Sequence, residues 1–333
     1  MEFREMAPPD WDQRIASPML SEGFAEASRG LGYRALFVED ERDRALVLLR
    51  RIPLPVLHRL TERAKVYAST GDPSFLGALV EELAARGVSH VRIGDERHGV
   101  PGLPVSRRAA HKVPHHVFLI ETAGRSDGDL LAAMSDPVPR NIRKAERAGV
   151  EVVEITSETE MDVFFALMAE TVERMRSRHV AAVYPDQFFR TVFRRMAPRN
   201  QAVFFLARAE GEPLAAQMYL VGADRLTYYH GASTRNRALT PKHGPTAIFW
   251  HAMRLAAKDG RRVLDMGAGT PTSDRSNVHF SVTDFKRRWG GHHVEVLSVD
   301  ITLAPAKVVF QERLLKPLWD RAHPIFLRLF PHR

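Results

Sequence analysis

Residues 261–274, RRVLDMGAGTPTSD, place a carboxylate, Asp265, just ahead of closely spaced glycines. An acid and a glycine turn after a strand is how many proteins hold a nucleoside cofactor, including those that transfer methyl groups. A second stretch, PRNIRKAERAGVEV at residues 139–152, carries Arg140, Arg143 and Lys144. Arg140 and Lys144, four apart, share one helical face, and the arginine fork suits phosphate oxygens. Glu146 and Arg147 continue that surface, so a plain solvated face is the competing reading. A third stretch ends a strand with Tyr228, Tyr229 and His230 before a glycine. Alternation sends the two tyrosines to opposite faces, so at least one belongs to the core, while His230 offers an imidazole that could accept a proton. The paired histidines in PHH (114–116) and GHH (291–293) lack ligand spacing, and no metal is expected.

The elements that position these groups must come from a large soluble core. The chain has 333 residues, 44% hydrophobic and 26% charged, enough for one large or two ordinary domains. It has no cysteine, which excludes disulfides and thiolate metal sites. The opening MEFREMAPPDWDQR is charged, and no run approaches the roughly 20 apolar residues of a membrane span, so a cytoplasmic protein is expected. A net charge of +8 fits an anionic partner, and equally an arginine-rich composition with none.

Strand patterns lie at RALFVED, RALVLLRRI, AKVYAST, SHVRIG and HHVFLIE. DPSFLGALVEELAARG reads as a helix capped by Asp72, with Pro73 at its first position, Phe75, Leu79 and Leu83 on one face, and Gly87 as its stop. Two helices broken at Pro137 and Pro139 follow, then a strand and two more helices. QAVFFLARAEGEPLAAQMYLVGADRLTYYHGAS is a three-strand meander, followed by the helix 245–259 and the strand RRVLDMGA. Set side by side, LVEELAARGVSHVRIGDE and AMRLAAKDGRRVLDMGAG match as helix, glycine stop, strand, acid and glycine. The pattern predicts a duplicated α+β unit. It also rejects the methyltransferase reading. Thr270 and Pro271 stand where a third glycine would open a helix, and the residues that follow are too few for a doubly wound sheet.

Three stretches in this order carry a family resemblance: residues 139–152, then LAAQMYLVGADRLTYYHGAS, then DMGAGTPTSDRSNVHFSVTDFKRRWGG. Together they resemble the Fem family of peptidoglycan-bridge aminoacyltransferases and its wider acetyltransferase-like relatives. The agreement is good over about residues 139–300 and weak before 130. The long helical hairpin arm of some members is missing, and the region after DWDQRIASPMLSEGF is compressed. The resemblance implies an α+β fold of tandem GNAT-like acyltransferase domains, each a mixed, mostly antiparallel sheet flanked by helices. Residues 1–135 would form the first, and residues 136–333 the second, with a C-terminal helix.

The resemblance also implies transfer of an amino acid from aminoacyl-tRNA to an amine of a cell-wall precursor or related acceptor. Such transfer from an activated ester is downhill. The protein must hold the reactants together, take a proton and stabilise an oxyanion. Lys286 is the implied cation, oriented by Phe285, with an exposed surface lysine as the plain alternative. Arg140, Arg143 and Lys144 would dock phosphates of tRNA or a nucleotide-sugar acceptor, and Tyr228, Tyr229 and His230 would line the channel. No bound cofactor is expected, aminoacyl-tRNA being a co-substrate, and no DNA. The turn RALTPKHGPTAIF has one glycine and two prolines, a poor row of amides for the pyrophosphate of coenzyme A. A coenzyme A thioester is therefore the alternative donor, and a non-catalytic precursor-binding protein the third reading. The tail from Ala304, with Val308, Val309, Leu314, Leu315 and Leu318, reads as a packed helix. Its basic aromatic end would suit contact with an anionic membrane at the inner face.

Overall fold

The computed structural model describes residues 1–50, 62–95, 110–176, 184–270, 272–277, 280–310, 313 and 317. Leu314, Leu315 and Leu318 of the tail lie outside them. In chain order the first elements are β1 (Glu2–Arg4), α1 (Glu22–Arg29), β2 (Arg34–Glu39), β3 (Arg44–Arg50), β4 (Arg63–Ala68), α2 (Pro73–Ala85), β5 (His90–Ile93) and β6 (Ala110–Glu121). Next come α3 (Asp127–Ala132), α4 (Val138–Arg147), β7 (Glu151–Glu154), α5 (Glu158–Arg176) and α6 (Asp186–Met196). The last are β8 (Ala202–Ala209), β9 (Glu212–Val221), β10 (Arg225–Ser233), α7 (Gly244–Lys258), β11 (Val263–Ala268), α8 (Phe280–Arg288), β12 (His292–Thr302) and α9 (Pro305–Phe310).

The chain divides into two compact units. One comprises residues 1–8, 32–114 and 297–333, the other residues 9–31 and 115–296. In the first, β1, β2, β3 and β4 pair antiparallel in sequence order. Helix α2 then returns the chain so that β5 runs parallel to β4. Its sequence explains it: Asp72 accepts the amides of Ser74 and Phe75, Pro73 opens the first turn, and Gly87 follows at φ +86°. Phe75, Leu79 and Leu83 are buried against Val66, Val91 and Ile93 of the sheet. Each such side chain contributes about 1.5–3 kcal/mol on burial.

The second unit repeats the plan. Strands β8, β9 and β10 form an antiparallel meander, α7 follows, and β11 returns parallel to β10. Gly260 ends α7 at φ +68° as Gly87 ends α2. Seven residues beyond each stop, Gly94 (φ +76°) and Gly267 (φ +79°) close the returning strand in the left-handed region. The backbone thus repeats where the sequence does. Strand β11 runs beside β10 and antiparallel to β6, so the glycine stretch closes an α+β unit and opens no doubly wound sheet.

The strands of each unit are completed by a strand from the far half of the chain. The C-terminal β12 pairs with β5, and β6 pairs with β11. The early segment 9–31 also joins the second unit, where α1 packs on α6 and Phe24 meets Phe188 edge-on at 6.4 Å. Ser21 caps α1 by accepting the amide of Phe24.

Candidate active site

The site lies in the second unit, where β10 and β11 part. Their parallel pairing covers Arg225–Val263, Leu226–Leu264 and Thr227–Asp265 and stops there, although β10 continues to Ser233 and β11 to Ala268. The ends of the two strands are tied to different helices. On β10, Ser233 and the residues after it bond to α5: Thr171 Oγ1 accepts the Ser233 amide at 3.0 Å, and Arg174 donates to Ser233 Oγ at 3.2 Å. On β11, the Lys286 ammonium donates to the carbonyls of Gly267, at 3.1 Å, and Ala268. Thr283, on the same face of α8 one turn earlier, donates to the Thr270 carbonyl at 2.5 Å.

Lys286 is therefore no surface residue. It is 8% exposed, and its charge lies 5.9 Å from the centre of the Phe118 ring. Phe118 in turn leaves no room for a side chain at Gly269, where a Cβ would fall 2.9 Å from the ring. Phe285 is 39% exposed and packs edge-on to Phe249 and Trp289, at 5.7 and 6.1 Å. Trp289 is fully buried and anchors α8 to the core.

Asp265, the acid in the middle of an apolar strand, is fully buried. One oxygen accepts the Gly267 amide at 2.7 Å, and the other takes an Arg225 N–H at 3.1 Å. Burial pushes its carboxyl above the usual carboxylate range, against the opposing pull of Arg225, the Gly267 amide and Lys286.

The tyrosine stretch splits as alternation expects, with one addition. Tyr228 turns to Phe249 of α7 at 4.9 Å, while Tyr229 stacks on Phe188 of α6 at 5.9 Å and its hydroxyl lies 3.3 Å from that of Tyr184. A bulge between Tyr228 and His230 makes Tyr229 the extra residue. His230 consequently shares the side of Tyr229, 5.2 Å from Phe189 and 6.5 Å from Tyr184. The structure thus gathers Tyr228 and Phe285 around Phe249, sets Lys286 against Phe118 and the end of β11, and sends Tyr229 and His230 to the α6 aromatics.

Arg140, Arg143 and Lys144 are exposed on α4, which packs on α7. The charge of Lys144 reaches His243, the residue before α7. Partial burial first and then Lys144 hold that imidazole below its usual value. Helix α7 begins hard against the meander: a Cβ on Gly244 would fall 2.5 Å from that of Leu214, and Gln217 donates to the Pro245 carbonyl at 3.2 Å. The first turn of α7 and the Arg140–Lys144 face thus adjoin, while Pro245 removes one amide from that turn.

The glycine motif marks Asp265 only as the acid of a nucleoside site, and nothing in the sequence pairs it with Arg225. The available signal was an acid flanked by Leu264 and Met266, since a buried carboxylate needs donors. Among the described residues, no group of three or more His, Asp or Glu is arranged to hold a metal ion. Among them also, no helix is long and apolar enough to cross a membrane.

Known proteins share this architecture. The family profile described as the acetyltransferase (GNAT) domain matches residues 137–319. FemX superposes with a TM-score of 0.70 at 14% identity, covering 96% of this chain and 99% of that one. The C-terminal domain of a protein named as a lysylphosphatidylglycerol synthetase in Agrobacterium fabrum gives 0.56 at 12% identity, over 90% and 96%. The L-PGS of Bacillus licheniformis gives 0.54 at 12%, over 85% and 88%. No curated protein sequence matches the chain.

Proposed function

Because the chain belongs to the acetyltransferase (GNAT) domain family, with a Fem-like duplicated fold, and is an acyltransferase, we propose that it moves an amino acid from aminoacyl-tRNA to an amine, of a cell-wall precursor or a related acceptor. The observation that carries this reading is the parting of β10 from β11 with a buried, fixed cation, Lys286, beside it. In this reading the activated ester enters the gap and the amine attacks its carbonyl carbon. The carbon–nitrogen bond forms, the carbonyl oxygen takes up negative charge, and the tRNA 3′-oxygen leaves with a proton from the amine. An ammonium held in place by two carbonyls stabilises that oxyanion through its field without reorganising as the charge develops. Phe285, packed on Phe249 and Trp289, would help to fix α8 and so orient Lys286.

The face of Arg140, Arg143 and Lys144 beside the start of α7 supports docking of phosphates, from tRNA or from a nucleotide-linked acceptor. Tyr228, with Phe249, would wall the gap. Tyr229 and His230 lie with the α6 aromatics, so His230 would serve as proton acceptor only from that side. The names of two of the similar proteins, both lysylphosphatidylglycerol synthetases or their domain, support an aminoacyl donor and leave a lipid-linked acceptor within reach. Such an acceptor would suit a protein working at the inner membrane face.

A second reading, N-acyl transfer from a coenzyme A thioester, is favoured by the acetyltransferase description of the matched family. Incubation with charged tRNA pools and with coenzyme A thioesters, each with amine acceptors, separates the two. Turnover of charged tRNA supports the first reading. Turnover of thioesters alone replaces it with the second, and turnover of neither removes both.

A further inference from the structure

The two units repeat one backbone plan but finish it differently. Counting from the glycine stops, Gly94 corresponds to Gly267, Val66 to Tyr228, and the pair Val66–Ile93 to a pair Tyr228–Met266. In the first unit the pair exists. The Gly94 amide donates to the Val66 carbonyl at 2.8 Å, adding one more rung between the parallel strands. Asp95 then ties the end of β5 back to β4: the Tyr67 hydroxyl donates to it at 2.9 Å and the Lys65 ammonium lies at 2.6 Å. That junction is stitched through three contacts.

In the second unit the corresponding pair is absent. The Gly267 amide, which would make the rung to Tyr228, is instead taken by Asp265. The residue after Gly267 turns away as well, because the Ala268 carbonyl accepts from Lys286 on α8. The Tyr228 carbonyl lies 3.7 Å from where a Cβ of Gly267 would stand, so the two strands are near enough to zip if the amide turned. A buried carboxylate is costly without donors. Asp265 answers its own need with the amide of Gly267, and so denies that amide to β10.

We infer that Asp265 is a positioning residue that keeps the gap between β10 and β11 open, and that the stitched junction of β4 with β5 leaves the other half of the duplication without a donor gap. The inference rests on the reading above that an acyl donor enters the β10/β11 gap. It adds which side chain holds that gap ready. The Arg225 guanidinium pairs with the other oxygen of the same carboxylate and not with the one that takes the Gly267 amide, which gives the control.

The test uses the full chain and four changes: Asp265→Ala, Arg225→Met, the two combined, and Asp95→Ala. The double change removes the guanidinium that Asp265→Ala would leave unpaired, and so serves where the single change fails to fold. Each variant is crystallised, and affinities are measured for a charged tRNA pool and for acetyl-coenzyme A as the donor probes. Loss of Asp265, alone or with Arg225, is expected to bring the Gly267 amide onto the Tyr228 carbonyl. It should also weaken binding of whichever donor the unaltered protein binds by about tenfold or more. Arg225→Met and Asp95→Ala should keep that affinity within about threefold. A gap still open without Asp265, or donor affinity unchanged, overturns the inference, as does Arg225→Met reproducing the full loss. So does Asp95→Ala lowering donor affinity tenfold, which would place a donor in the first unit. If the unaltered protein binds neither donor, the functional reading fails separately, and the Gly267–Tyr228 distance alone decides whether Asp265 holds the strands apart.

Discussion

Lys286→Met separates what this side chain does for the fold from what it does for the reaction. The substitution keeps an apolar stem beside Phe118 and removes only the ammonium. In the native chain that ammonium, 8% exposed, donates to two carbonyls at the end of β11. Hydrogen bonds to a charged group contribute about 1.5–3 kcal/mol each, so their joint loss should cost about 3–6 kcal/mol. For a unit of this size each kcal/mol lowers the melting temperature by about 2–4 °C, which predicts a fall of roughly 6–24 °C. If the same charge also stabilises the oxyanion, turnover measured well below the melt should fall by about a hundredfold or more. The fall should lie in kcat, because a contact strengthened only in the transition state leaves ground-state binding alone. Lys286→Arg should recover part of the melting temperature and little of the turnover, since a planar guanidinium cannot occupy the position of a compact ammonium. The assay is a thermal melt by circular dichroism, paired with steady-state turnover of the donor that proves active. A lowered melt with turnover unchanged would show that Lys286 only holds β11. An unchanged melt would refute the structural argument itself.

Three further outcomes are expected. Gly290 has φ +81°, and a Cβ there would fall 2.8 Å from the Ala133 carbonyl oxygen, so Gly290→Ala should destabilise by at least about 1–2 kcal/mol, read as a lower melt. In the first unit, burial alone would raise the Asp300 carboxyl, but the forked bonds and charge of Arg92, with His90 and His111, outweigh it and hold it below its usual value. A depressed carboxyl stabilises above its unfolded value of about 3.9, and that contribution fades as pH falls through the native value; Asp300→Asn should therefore flatten the acid limb of stability below about pH 4. Charged tRNA, if it is the donor, should bind with an affinity that drops steeply with salt as phosphate counterions are released, and binding insensitive to salt would count against the basic face of α4.

Much of the fold was legible in the sequence because it is written in local patterns. Apolar spacing with a cap and a glycine stop marks α2 and α7, since a helix face and its end depend on residues within a turn of each other. The matching glycine spacing revealed the duplication, and the backbone repeats it at Gly87 and Gly260, and at Gly94 and Gly267. The same order ruled out a nucleotide fold at residues 261–274. The tyrosines parted to opposite faces because strand alternation is a property of the backbone alone.

Contacts across long separations were decided only by the tertiary structure. Which strands β6 and β12 pair with depends on edges that exist only after folding, and no local pattern names a partner more than a hundred residues away. The bulge that carries His230 to the side of Tyr229 is set by the register of β10 on β9. A lysine between Phe285 and two arginines is not fixed as surface or interior by its sequence neighbours. The carbonyls of Gly267 and Ala268, nineteen and eighteen residues earlier, made it interior by supplying acceptors that a buried ammonium needs. Asp265 belongs to the same class. Its sequence neighbours announce a buried acid, but only the turn that brings the Gly267 amide to it decides that the acid parts two strands rather than merely filling a core.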